Sequence, residues 1–331
     1  MKLALTILVL LYSSLINASY KNLSETGLYK NIRSHEIKTG VHFYSPQYPL
    51  WTDGASKKRY LFLPSNTKIN TDDQDNWQFP NGTKVWKEFS FPTSNGLKRV
   101  ETRLIEKNAK GEWEYYTFIW NKDETEAKLA PEKGIINYFP INDKVSHDIP
   151  NQIQCSNCHG NQRNPIISFS ALQLSPDRDP NALHQDQLTS EMMTLKELYQ
   201  KNLVTTKLTE WPSIKSSDSK EKSIIGYLHG NCSSCHKADG VAFPLGMNLK
   251  YEISVSESDV GFYQTALNRP TKGYTIPGNQ GVNYRLKLGS PSQSAILFRT
   301  SIRGNYHQMV PYGSKLVDQE FKDLLKSYLT K

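Results

Sequence analysis

Polar and apolar positions alternate most clearly over Arg99-Val100-Glu101-Thr102-Arg103-Leu104-Ile105, the period of a half-buried strand. The turn Asn108-Ala109-Lys110-Gly111 follows, and Trp113 to Trp120 returns as an aromatic and β-branched run, so the pair predicts a hairpin. Tyr60 to Leu63 and Thr83 to Phe91 read as further strands, the second after the turn Pro80-Asn81-Gly82. From about Val41 to Phe139 the pattern predicts a β-rich module whose sandwich-like core absorbs its many aromatic residues.

The pattern then changes period. Leu188 to Asn202 predicts a helix with Leu188, Met192, Leu195 and Tyr199 on one stripe. After a Ser/Lys linker over Ser213 to Ser217, Asp218 with Glu221 three residues later signals a helix start. That helix runs into Cys232, with Ile224, Ile225 and Leu228 on its buried side. Asp318 to Leu329 is amphipathic, with Phe321, Leu324, Leu325, Tyr328 and Leu329 on the apolar side. The expected fold class is α+β: a sandwich-like β-rich domain, then mainly α domains. The expected boundaries are 1–18 leader, 19–140 β-rich module, 141–212 a first segment of the second half and 213–331 a mainly α domain.

The leader rests on Leu3 to Ile16, apolar but too short to span a bilayer. It follows Met1-Lys2 and precedes Asn17-Ala18, the layout of a secretory signal. The expected location is periplasmic or secreted, with no transmembrane segment after signal removal. The 331 residues carry a net charge of +8. An exported chain seldom meets nucleic acid, so none is expected as a partner. Short runs such as Lys57-Lys58-Arg59 read as a solvated basic surface, or as a patch for an acidic protein.

The four cysteines decide the chemistry. They form two copies of one pattern, Cys155-Ser156-Asn157-Cys158-His159 and Cys232-Ser233-Ser234-Cys235-His236. Cysteines three apart project to the same side of a helical turn, where their thiols can form thioethers with the two vinyl groups of one haem. The histidine that follows presents an imidazole to the iron. Zinc would want its ligands closer together, and 73 residues separate Cys158 from Cys232. A redox dithiol needs one such pair and no following histidine; two disulfides leave the histidines unexplained. The expected cofactors are two covalently bound haem c groups. Cys155, Cys158, Cys232 and Cys235 attach them, and His159 and His236 are proximal ligands.

The distal positions are read from spacing. Met309 lies 73 residues beyond His236, ample for a wrap around the macrocycle, whereas Met247 lies only 11 residues beyond. Met309 is therefore the expected distal ligand of the second haem and Met247 a packing residue. For the first haem, His147, His184, Met192, Met193 and His229 all stay open, with His184 the leading imidazole and Met192 on a core stripe. Pro165 and Pro244 could offer carbonyls to the proximal imidazoles. His35 and His42 are isolated.

With these residues in view, Asp218 to Lys331 resembles a class I cytochrome c domain, so 213–331 is the expected cytochrome c-like domain and 141–212 the first haem-binding segment, both mainly α, cytochrome c-like haem regions. The resemblance is carried by Cys232 to His236, Pro244-Leu245, Gly289 to Leu297 and Met309-Val310-Pro311. From about residue 40 onward the chain is similar to a family of bacterial diheme c-type proteins with a β-rich N-terminal module. Supporting stretches are Pro49-Leu50-Trp51-Thr52-Asp53-Gly54-Ala55, Glu101-Thr102-Arg103-Leu104 and Ile149 to Cys155. The resemblance implies exported electron transfer between redox protein partners, with no catalytic residue. Two other classes stay open: a diheme peroxidase-like enzyme with an open first haem, and a haem-carrying polymer-binding module.

Overall fold

Two strand pairs and one larger sheet organise the first half of the chain. The computed structural model describes residues 20–160 and 164–331, so the leader expected over 1–18 lies outside the described residues. β1 (Tyr29–Asn31) and β2 (Glu36–Ile37) form a small hairpin. β3 (Val41–Tyr44), β4 (Ser56–Phe62), β5 (Lys84–Thr93), β6 (Gly96–Lys107), β7 (Trp113–Trp120) and β8 (Ala127–Leu129) follow as a six-stranded antiparallel meander in chain order. β9 (Ile135–Pro140) and β10 (Ser146–Ile149) make a second hairpin.

Side chains alternate across a strand, and the two faces of the meander differ in chemistry. Tyr60, Trp86, Leu104 and Phe118 share one face, packed with Leu23, Leu28 and Tyr29 of the preceding segment. The buried Trp86 indole donates to Thr26 Oγ1 at 3.1 Å, and that of Trp120 to Thr102 Oγ1 at 3.0 Å. These bonds keep both rings apolar inside without an orphaned N–H. The opposite face carries Arg59, Lys87 and Arg103 at facing positions on β4, β5 and β6.

Five α-helices occur among the described residues: α1 (Gln152–His159), α2 (Leu195–Gln200), α3 (Ser219–Asn231), α4 (Ala295–Thr300) and α5 (Gln319–Leu329). α3 begins where the carboxylate of Asp218 accepts from the backbone of Lys220 and Glu221, and α5 where Asp318 accepts from Phe321, the capping of otherwise orphaned amides. The two helices pack through Tyr227 and Phe321, whose rings stack at 3.7 Å, and through Ile224, Leu228, Leu325 and Leu329.

The expected fold class is corrected in both halves. The β-rich half is a single meander with two small hairpins and no sandwich, because the N-terminal segment covers one face of the sheet and α1 with later loops the other. Nor is the C-terminal part a mainly α cytochrome c-like domain. From Cys232 to Asp318 the chain is irregular apart from α4 and single turns of 3-10 or π geometry. Pro244, Pro270, Pro277 and Pro291 break helical runs there. The polar backbone is satisfied instead by bonds such as Arg285 to the carbonyls of Gly246 and Thr265. The helix expected over Leu188 to Asn202 shrinks to α2, since Thr194 and Glu197 form its capping box. Met193 before it donates its amide to Phe43 of β3.

The regions share cores. Ile166, Phe169, Leu174, Leu195 and Val204 pack with Tyr44, Leu61, Trp77 and Val85 of the sheet region. Tyr48 and Leu172 join the core of α3 and α5. A Cβ on Gly226 would stand 2.0 Å from the Tyr48 ring and one on Gly230 2.2 Å from its carbonyl, so α3 needs glycine for this close approach.

Candidate functional site

The second motif begins at the C-terminal end of α3. Cys232 caps the helix, donating its amide to Leu228, and the amide of His236 bonds back to Cys232, so the five residues continue one tight turn. Cys232, Cys235 and His236 all line one cavity of about 250 Å³. Its walls include Tyr227 of α3, Ile296 and Arg299 of α4, and Phe321 of α5, with Leu245, Met247 and Leu249. Met309 lines the same cavity, its amide donating to the Arg299 carbonyl at 2.9 Å. Trp51 comes from the far end of the chain. Its amide bonds to Asn231 at 2.7 Å, while Asp53 accepts from Leu316 at 2.8 Å and Lys315 at 2.9 Å. The stretch Tyr48–Asp53 is thus tied between α3 and the segment before α5.

Burial, with Arg299 and Arg285 nearby, lowers the pKa of His236 to about 4, so its imidazole is neutral at pH 7. Its buried Nδ1 has no hydrogen-bond partner among the described residues. The Pro244 carbonyl, expected as that partner, accepts from Lys272 instead, at 3.2 Å.

The first motif forms α1, which starts on a capping box between Asn151 and Gln154 and packs on β7, with Tyr115 and His159 rings 6.0 Å apart. Here the expected carbonyl is in place: His159 Nδ1 donates to Pro165 O at 2.6 Å. A carbonyl can only accept, so Nδ1 carries the hydrogen and Nε2 keeps its lone pair. Burial, then Lys87 and Arg103, lowers the pKa of His159 to about 4. Both motif histidines are therefore neutral at physiological pH.

The two motifs meet. The thiols of Cys158 and Cys235 are hydrogen-bonded across the interface, which pushes the Cys158 pKa up and draws that of Cys235 down to about 6. Burial raises Cys155, and raises Cys232 to about 12. None of the four cysteines forms a disulfide. Among the described residues no group of three or more His, Cys, Asp or Glu side chains is placed to hold a metal ion.

The residues left open for the first distal position disperse. His147 is buried against Glu101 at 2.8 Å. His184 bonds to Asp318 at 2.8 Å and lies beside Trp51, on the side of the second motif. His229 Nδ1 accepts from the Tyr251 amide at 3.0 Å, and Met192 and Met193 are buried. The sequence reading also missed functional neighbours. Trp51 and Tyr227 had no chemical signature, and Arg59, read within a solvated basic run, is only 2 % exposed. The alternation of Lys57 and Arg59 along one strand face was the available signal. No helix among the described residues is long and apolar enough to cross a membrane. No family model, curated protein or solved structure matches this chain.

Proposed function

We propose that this chain is an exported diheme c-type cytochrome that relays single electrons between redox protein partners. The observation that carries the reading is the apolar cavity on which Cys232, Cys235, His236 and Met309 converge. These residue types suit a covalently held haem with histidine on one side and thioether on the other. Bound there, the haem iron supplies a one-electron couple. The protein's own residues do the rest. Cys232 and Cys235 fix the macrocycle edge, the neutral His236 offers a ligand nitrogen, and Tyr227, Ile296 and Phe321 exclude water.

At the first motif, Cys155 and Cys158 are the attachment residues and His159 the proximal ligand, its ring held by the Pro165 carbonyl. Contact between Cys158 and Cys235 brings the two attachment edges together, which suits a relay over two independent sites. The family resemblance carried by both motifs and by Pro49 to Ala55 favours the same reading.

Expression alongside a c-type maturation system tests it. Mass spectrometry of the exported chain should show the added mass of two haems, and EPR of the oxidised protein two low-spin centres. A bare polypeptide mass would overturn the proposal. A mass two hydrogens below the bare chain, with a peptide map that links Cys158 to Cys235, would assign them to a disulfide instead. A high-spin first haem would shift the reading to the peroxidase-like alternative.

A further inference from the structure

The antiparallel register sets Arg59 of β4 directly opposite Lys87 of β5, and Lys87 directly opposite Arg103 of β6. Like charges at facing positions repel, and here they lie on an inward face. Lys57 stands two residues from Arg59 on the same face, its ammonium donating to the Ala55 carbonyl at 3.0 Å. Burial and the neighbouring cations push Lys57, to about 7, and Lys87 below the usual lysine range, and a seated anion would restore their charge. Arg59 is fully covered, and among the described residues its Nε and Nη2 have no hydrogen-bond partner, nor has Nε of Arg103. The carboxylate bonded to the row is Glu101. Its Oε1 serves both Arg103, at 2.5 Å, and His147, at 2.8 Å, while its Oε2 has no hydrogen-bond partner among the described residues. Asp186 attracts Arg59 and Lys57 from farther away, and Asp53 attracts Lys57. Buried guanidinium donors left unpaired are strongly destabilising, and a charge of opposite sign seated between them relieves both terms at once.

We propose that the Arg59–Lys87–Arg103 row, with Lys57, is a binding site for a carboxylate or oxyanion beside the first motif. Arginine forks match the planar pair of oxygens on such a ligand. Lys87 and Arg103 also lie within electrostatic reach of His159, and Arg103 of Cys155 and Cys158. The ligand therefore sits beside the residues that hold the first haem in the reading above. The row is set by sheet register alone, so the site stands whatever the cysteines carry.

Two sources share this chemistry: a small anion from solution, and the propionates of a haem. Inorganic phosphate is the probe, titrated by calorimetry and by thermal melting into the matured full-length protein and into the C155A/C158A variant. Binding to the matured protein marks a solution anion. Binding only to C155A/C158A marks the propionates as the occupant. In either case K87M and R59Q should weaken phosphate binding at least tenfold, and R59K should restore part of it. If C155A/C158A does not fold, the matured K87M protein decides. Removal of a cation beside the first haem should lower one of the two reduction potentials. The proposal is overturned if phosphate binds neither form and K87M leaves both potentials unchanged. It is equally overturned if binding is indifferent to Arg59 and Lys87. Haem content, read separately from mass, keeps failure of this site distinct from failure of the cytochrome reading.

Discussion

The two Cys-x-x-Cys-His copies are held in opposite ways. The first lies on an eight-residue helix with no fully buried residue, resting on a sheet face of lysine and arginine. The second ends a thirteen-residue helix in which every residue from Ser223 to Asn231 is buried, and it opens on an apolar cavity. The haem attachment proposed above would need only five consecutive residues, so it could be repeated on unrelated supports. What a bound group experiences is set by those supports: charge and polar donors at the first motif, exclusion of water and a thioether at the second.

The largest effects should come from removing each motif in turn. C155A/C158A and C232A/C235A should each halve the haem bound per chain, measured by mass and absorbance. If one pair abolishes both haems, the supports are not independent.

Next in size is E101Q. Glu101 is held down to about 2, against an ordinary 4.5, by Arg103 and the bond to His147, which outweigh its burial. A depressed carboxylate stabilises the fold fully above the unfolded value, and that contribution is lost as the pH falls from about 4.5 towards 2. E101Q should destabilise by about 3 kcal/mol at neutral pH and flatten the acid limb of the unfolding curve. An unchanged acid limb would remove Glu101 as the anchor of the sheet-side support.

G230A probes the other support. Its Cβ would meet the Tyr48 carbonyl, and overpacking of this kind costs about 1–3 kcal/mol. The melting temperature should fall, and occupancy of the second motif should suffer before that of the first. Equal loss at both would show that the Tyr48–Asp53 strap serves the whole molecule. The smallest change is expected from M309A, which should leave the fold intact, lower one reduction potential and remove the long-wavelength sulfur-to-iron absorption. M247A should leave that absorption in place.

Much of the local structure was legible in the chain. The alternation over 99–105 and the aromatic return over 113–120 are β6 and β7. Asp218 and Asp318 mark the starts of α3 and α5, because capping is written in one residue and the next three. The proposal for the cysteines and histidines of the two motifs rests first on their spacing. The sequence did not reveal how far irregular backbone replaces helix between Cys232 and Asp318. Those turns are held by long-range partners such as Arg285 rather than by any local period.

Sequence by itself therefore determined the strands of strong alternation and the starts of the capped helices, since each depends on interactions within a few residues. Tertiary structure alone decided that Cys158 and Cys235 touch, that Trp51 reaches the cavity of a motif far along the chain, and that Arg59, Lys87 and Arg103 stand side by side. Each of these depends on strand register and on packing between distant segments, and neither quantity has a signature in the order of residues nearby.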